Sequence, residues 1–337
     1  MKEAYLYKSV EDLKVRCSLC NHRCLIKEGS TGKCCVRKNM SGKLYSLVYA
    51  KLIAENIDPI EKKPLFNFLP GSSTYSIATM GCNFKCFFCQ NYQISQVSID
   101  NNDIPGRFET PENIVKKAIE SNCRSISYTY TEPTIFFEFA YDTSIIAKKN
   151  QLKNIFVTNG FMTLEAIDMI SPYLDAANVD LKSFSDDFYK KNTGGRLKPV
   201  LDSIKYMKKL GIWIEVTTLL IPGLNDSREE LEQIALFLKD TGTEIPWHIS
   251  AYYPQYKSKI SPTSYKKIIE AVDIGKNAGL SYVYGGNVNY PGLENTFCPE
   301  CGNEIITRSG FDIIKTDINE NKCNKCDFKI DGVFKTI

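Results

Sequence analysis

From about Thr74 to Asn289 the apolar positions fall into short strand-like runs, each followed by a longer stretch with helical spacing. The runs are Tyr75–Thr79, Ser125–Tyr130, Asn154–Thr158, Ala177–Leu181, Ile212–Thr218, Trp247–Ser250 and Ser281–Tyr284. Between them lie helices with recognisable starts. Thr110 puts a capping residue ahead of a proline at the first helical position, and Asn225-Asp226-Ser227 precedes Arg228-Glu-Glu-Leu-Glu. Gly160, Gly211 and Gly279 punctuate loops or helix ends. Repeated βα units predict a parallel sheet with helices outside it, as a barrel, a partial barrel or a doubly wound sheet. In each of these, ligands collect at the carboxyl ends of the strands, so residues at or just beyond each strand end matter most.

The flanks read differently. Residues 1–70 hold a Cys-rich segment and the alternating run Lys43–Ala50, and residues 293–337 hold a second Cys-rich module, leaving 71–292 as the βα body. The 337 residues carry 42 Lys and Arg against 39 Asp and Glu, so net charge marks no nucleic-acid footprint. Uncharged Pro64–Phe84 is long enough to span a bilayer, but Asn67, Pro70, Gly71, Ser72 and Ser73 make it too polar. The N-terminal residues lack the apolar core of a secretory signal, and the expectation is a cytoplasmic protein with no membrane contact.

Composition changes the picture at one point: 13 cysteines against 2 histidines. An odd count without an export signal argues against a disulfide scaffold. Twelve of the 13 fall into three local groups, with Cys123 alone, and short CxxC and CxxxC spacings suit metal knuckles. Directly after the first strand comes Gly81-Cys82-Asn-Phe-Lys-Cys86-Phe-Phe-Cys89. Three thiolates can wrap one face of a [4Fe–4S] cluster that normally takes four, leaving one iron open. A structural zinc knuckle or buried core cysteines are the plain alternatives, and the position after the first strand of a βα series weighs against both.

This CxxxCxxC motif, with aromatic Phe88 before its third cysteine, resembles that of the radical S-adenosylmethionine (radical SAM) superfamily. The resemblance implies that Cys82, Cys86 and Cys89 carry a [4Fe–4S] cluster whose open iron binds S-adenosylmethionine. Reductive cleavage would then give methionine and a 5′-deoxyadenosyl radical. It also implies cofactor contacts at the strand ends. Where the family has a Gly-Gly-Glu-like motif this chain has Thr131-Glu132-Pro133, making Glu132 the residue expected at the methionyl ammonium. As a plain alternative, Glu132 is an acid at a helix N-terminus. Thr158-Asn159-Gly160 and Asp180-Leu-Lys182 look like the TNG and D-x-K motifs of pyruvate formate-lyase activating enzymes, although Val157 stands where that family has an acid at its cation site. Asp180 and Lys182 share one strand face and could equally be a buried ion pair. Ile221, in Leu-Ile-Pro-Gly223, would pack on adenine, and His248 would contact the cofactor or lie over the adenosyl group. Both residue types are more often core.

The tail carries Cys298-Pro-Glu-Cys301-Gly302 and Cys323-Asn-Lys-Cys326, two knuckles spaced as in a zinc ribbon, with a rubredoxin-like iron site as the rival. In the head, Cys17, Cys20, Cys24 and Cys34 could hold zinc or a second iron–sulfur cluster, or be free thiols. Cys35 and Cys123 have no assigned role. The fold expected is α/β, a partial (βα)6 TIM-like barrel with a Cys-rich N-terminal segment and a C-terminal zinc-ribbon module. The whole arrangement resembles the AmmeMemoRadiSam-system radical SAM enzymes through the Cys-rich head, Glu55–Leu65 and Tyr128–Thr134. That resemblance implies partner proteins of that system. It also implies an external electron donor of flavodoxin or ferredoxin type and a small-molecule or protein substrate, with hydrogen abstraction and adenosyl addition both open. A metal-binding adaptor without catalysis is the reading from another class. Lys62, Lys63 and the Pro70-Gly71 turn are expected near the substrate mouth.

Overall fold

The computed structural model describes residues 1–96 and 104–334. Its centre is a run of seven parallel strands: β1 (Ser73–Thr79), β2 (Ser125–Tyr128), β3 (Lys153–Thr158), β4 (Ala176–Asp180), β5 (Trp213–Leu220), β6 (Trp247–Ala251) and β7 (Val283–Gly286). They pair in sequence order, each hydrogen-bonded to the next. Helices α1 (Pro111–Glu120), α2 (Phe137–Lys149), α3 (Leu164–Ile170), α4 (Leu197–Lys209), α5 (Arg228–Thr241) and α6 (Tyr265–Ala278) fill the six crossovers. The expected partial (βα)6 barrel is therefore present, with a seventh strand closing the series.

Local chemistry accounts for the helix starts. Thr110, Thr163, Ser227 and Ser264 each accept a backbone N–H from the first turn of α1, α3, α5 and α6, each cap contributing about 1 kcal/mol. The outward strand residues are apolar and fully buried, among them Ile126, Tyr128, Phe156 and Trp247. The amino end of the barrel is filled by the 60–69 segment, where Ile60, Leu65, Phe68 and Leu69 pack on Ile155 and Ala176.

The boundary expected at residue 70 does not separate two bodies. The strand Lys51–Pro59 pairs antiparallel with β1, and Arg107–Phe108 pairs with its start, so the sheet runs from β7 across β1 to these two strands. The alternation of strand and helix signals shows only the parallel members; an antiparallel partner before the first βα unit has no such local signature. Upstream, residues 1–46 form two three-stranded antiparallel sheets. Downstream, Thr296–Phe297, Glu304–Ser309 and Asp312–Thr316 form another, followed by a short hairpin at Ile318–Cys323. The tail packs on Tyr284 of the last barrel strand, on Tyr282 just before it and on Phe66. Among the described residues no helix is long and apolar enough to cross a membrane.

Candidate active site

The loop after β1 carries the three central thiols inward. Cys82 and Cys86 are buried and Cys89 is half-buried. Gly81 turns the chain with φ +107°, and a Cβ there would meet Val36 Cγ1 at 2.7 Å, so only glycine fits. Lys85 N donates to Thr193 O at 2.8 Å, and Gln96 Nε2 donates to Phe84 O at 3.2 Å, pinning the loop. The thiols have local donors of their own: Phe84 N lies 3.3 Å and Asn159 Nδ2 3.9 Å from Cys82 Sγ, and Ser95 Oγ lies 3.0 Å from Cys89 Sγ. Burial, with Glu132 and Cys86 nearby, pushes the Cys82 thiol well above its usual range. Burial likewise pushes Cys86 up to about 12. Three thiols gathered in one loop suit a cationic metal centre, which would bind them as thiolates.

The strand ends gather around this loop. Glu132 is buried, and its carboxylate accepts from Thr134 N, Thr134 Oγ1 and Thr158 Oγ1 on one oxygen and from Asn159 N on the other. It thereby ties the end of β2 to the end of β3 beside Cys82. Thr131 Oγ1 donates to Thr79 O, closing the β1–β2 edge. Asn159 Nδ2 donates to Asn83 Oδ1 at 2.7 Å, and Gly160, with φ +68°, lets the chain turn against Val179 and Val200. At Cys86, Lys182 Nζ meets Asp180 Oδ2 at 2.7 Å. Burial opposes the Lys182 charge, but Asp180 and Cys86 outweigh it and hold the ammonium above its usual value. Phe88 is buried, its ring 6.1 Å from Phe188. Ile221 is fully buried beyond β5, with its N–H bonded to Asn225 Oδ1.

His248 lies apart from this group. Its Nε2 is 2.6 Å from Glu215 Oε2, and its ring sits 4.7 Å from Phe66 and 5.1 Å from Tyr284. Glu215, in the middle of β5, also accepts from Phe66 N, Asn67 N and Trp213 Nε1. His248 lines a cavity of about 890 Å3 that runs from Gln90, next to Cys89, to Arg308 of the tail. Lys62 lines it too, whereas Lys63 is buried against Asp58 at 2.7 Å. Arg308 is fully enclosed: its guanidinium donates to Glu294 O, Thr296 Oγ1 and Phe66 O and lies over the Phe66 ring. Its Nε and Glu61 Oε2 are buried without hydrogen-bond partners.

Several of these residues escaped the sequence. An acid inside the apolar run Ile212–Thr218 is the signal that could have found Glu215, whereas nothing local distinguishes Asn83, Glu61 or Arg308. Asn83 matters because its Nδ2 is buried without a partner directly beside Cys82. An unused amide donor at a three-thiol loop fits a bound group carrying acceptors, as a cluster with S-adenosylmethionine would.

The tail cysteines form a tight quartet, with Cys298–Cys326 and Cys301–Cys323 sulfurs 3.6 and 3.7 Å apart. Among the described residues this is the one group of three or more ligating side chains whose atoms all lie within 4.8 Å, and it could hold a metal ion. In the head, Cys17, Cys20, Cys24 and Cys34 line one cavity; Cys35 does not.

The family model of the Radical SAM superfamily matches residues 76–238. An uncharacterized protein of Methanocaldococcus jannaschii is 46% identical over 337 residues, covering 99% of this chain and 100% of that one. The pyruvate formate-lyase-activating enzyme of Clostridium pasteurianum is 23% identical over 177 residues, 51% of this chain and 71% of that enzyme. Among solved structures, a radical SAM methyltransferase from Sphaerobacter thermophilus has the same fold, with TM-score 0.51 and 17% identity over 66% of this chain and 68% of that one.

Proposed function

The chain belongs to the radical SAM superfamily and is an activating-enzyme-like, S-adenosylmethionine-cleaving enzyme, and from that premise we propose that it acts on a small polar molecule. When bound, the [4Fe–4S] cluster and S-adenosylmethionine supply a 5′-deoxyadenosyl radical that abstracts hydrogen from the substrate or adds to it.

The protein's part is position and exclusion of water. Cys82, Cys86 and Cys89 would hold three irons. Asn83 Nδ2 and Asn159 offer amide donors beside Cys82, and the Asp180–Lys182 pair offers both charges beside Cys86. Glu132 holds the two strand ends that carry Thr131, Thr158 and Asn159. Ile221 and Phe88 supply apolar wall.

The observation that carries the small-molecule reading is the cavity beginning at Gln90. Its volume suits a ligand of metabolite size. Its walls carry His248, which is bonded to Glu215 behind it, and the buried ion pair of Arg308 with Glu61, Nε to Oε1 3.8 Å. A substrate with both hydrogen-bond donors and acceptors would find partners in Lys62, Thr217, His248 and Asn287 of the lining. A protein substrate of the glycyl-radical type needs an open groove instead. Zinc is proposed for the tail quartet: two CxxC knuckles are the usual zinc-ribbon ligand set, and a Zn–S bond of about 2.3 Å sets tetrahedral sulfurs about 3.8 Å apart, a spacing that four-thiolate iron would share. Its role would be to hold the sheet that carries Arg308. Electrons would come from a low-potential flavodoxin- or ferredoxin-type donor.

The test is an anaerobic reaction of reconstituted enzyme with deuterated cell extract, split by ultrafiltration into small-molecule and protein fractions, with Cys89→Ala as control. Deuterium in 5′-deoxyadenosine, or an adenosylated product, from the small-molecule fraction supports the reading. Product formed solely with the protein fraction overturns it in favour of protein activation.

A further inference from the structure

The head cysteines come from separate pieces of chain. Cys17 ends the strand Val15–Cys17, Cys20 and Cys24 flank the turn that follows it, and Cys34 lies in the next loop. Folding brings all four to one cavity, with Cys17 and Cys34 buried and Cys20 and Cys24 half-buried. Gly32 borders the same space: a Cβ there would stand 3.7 Å from Cys24 Sγ. His22 borders the same cavity; its Nε2–H donates to the Asn83 carbonyl at 2.8 Å, which leaves Nδ1 as its one ligating atom. Four thiols with no histidine or carboxylate among them are the full ligand complement of an iron–sulfur cluster.

Zinc and a cluster ask for different sulfur spacings. One zinc ion draws four sulfurs to about 3.8 Å from one another, and the tail quartet has that spacing. A cubane holds its ligand sulfurs at its outer corners, farther apart. Among the described residues, neither the head quartet nor Cys82, Cys86 and Cys89 are drawn within 4.8 Å of one another. In that respect the head set is like Cys82, Cys86 and Cys89 and unlike the tail.

Its place in the fold is equally specific. The Cys34 carbonyl is 3.4 Å from where a Cβ on Gly81 would sit, and Gly81 immediately precedes Cys82. The His22 ring lies 4.9 Å from Phe161, itself 5.1 Å from Phe84 of the catalytic loop. Thr134 lines the head cavity and also bonds Glu132. Residues that border the head cavity thus also touch the loop and the strand end that carry the second site.

We propose that Cys17, Cys20, Cys24 and Cys34 hold a second [4Fe–4S] cluster that relays electrons to the cluster at Cys82, Cys86 and Cys89. The relay rests on the function proposed above; the site does not. One electron from a low-potential donor of flavodoxin class reduces the head cluster. The same electron then moves to the catalytic cluster, leaving the head cluster oxidised again, with no bond made or broken.

The site is tested without touching it. The C82A/C86A/C89A variant, reconstituted anaerobically, should keep about four iron and four sulfide per chain, against about eight of each in the wild type, and give a reducible cluster signal by electron paramagnetic resonance. Loss of all iron and sulfide, with two zinc per chain, would overturn the site even if the catalytic reading stands. The relay is tested with Cys20→Ser. The expected result is at least a tenfold loss of cleavage driven by reduced flavodoxin, with dithionite-driven cleavage and the catalytic cluster's response to S-adenosylmethionine retained. Equal rates with flavodoxin would overturn the relay. Loss of that response as well would mark a folding defect at the catalytic loop and count against a separable relay.

Discussion

Arg37 and Glu138 form a two-pronged ion pair, Nη1–Oε2 and Nη2–Oε1 both 2.8 Å, with their side chains 2% and 0% exposed. It links the head strand Arg37–Met40 to α2, 101 residues away. Removing one partner leaves the other charged and buried, which costs about 3–5 kcal/mol. Glu138→Gln should lower the denaturant midpoint accordingly and release head-bound metal. The double variant R37M/E138L should recover most of the stability, because it removes both charges together. A Glu138→Gln protein as stable as wild type would show that the pair contributes nothing net.

His248 separates two locations for its function. The superfamily resemblance implies a contact with the cofactor, whereas the geometry gives it Glu215 and the large cavity. His248→Gln should cut product formation by about 10² in kcat and leave substrate-free cleavage of S-adenosylmethionine and iron content unchanged. Equal loss of both activities would return His248 to the cofactor.

Asn83 makes a narrower prediction. Its unpaired Nδ2 beside Cys82 should serve a bound acceptor at a net worth of about 1 kcal/mol. Asn83→Ala should weaken S-adenosylmethionine binding roughly five- to tenfold with iron content intact. Unchanged affinity by equilibrium dialysis would remove Asn83 from the cofactor site.

A metal held by the tail quartet would bear on the cavity of His248 through Arg308. Cys323→Ser should lose the tail metal and lower substrate turnover by roughly tenfold or more, since the sheet holding Arg308 loses its anchor. Substrate-free cleavage of S-adenosylmethionine should persist. Metal analysis and paired rate assays decide the outcome.

Asp58 gives a pH dependence. Burial pushes its carboxyl up, but bonds from Lys62, Lys63 and Tyr130 outweigh that and hold it well below the usual carboxylate range. A depressed folded-state pKa adds stability that is present above the unfolded-state value and is lost as pH falls through the folded one. Wild type should therefore exceed Asp58→Asn by about 2 kcal/mol at pH 7. The gap should shrink below pH 4, as read from urea midpoints of the metal-free proteins. A constant gap across that range would mean that the carboxylate charge is not what stabilises.

The order of strands and helices was legible because it rests on local properties: side-chain period, capping residues and the turn chemistry of Gly160 and Gly279. The three-thiol loop and the two tail knuckles could be picked out for the same reason, since each CxxxCxxC or CxxC motif confines its own sulfurs within a few residues of chain; folding alone brings Cys298 to Cys326 and Cys301 to Cys323. Glu132 and Asn159 could be named from motifs, but the carboxylate that ties β2 to β3 is visible only once both strand ends meet.

What the sequence alone determined, then, is the βα series, its ligand-bearing end and three groups of thiols sorted by spacing. The tertiary structure decided the rest. It put the strand Lys51–Pro59 into the barrel sheet, His248 on Glu215, and Arg308 of the tail in a cavity that starts at the cluster loop. It also set the head cysteines against Gly81 and Asn83. These pairings join residues 14 to more than 200 positions apart, where covalent geometry imposes no constraint and the packing of the whole chain selects the partner.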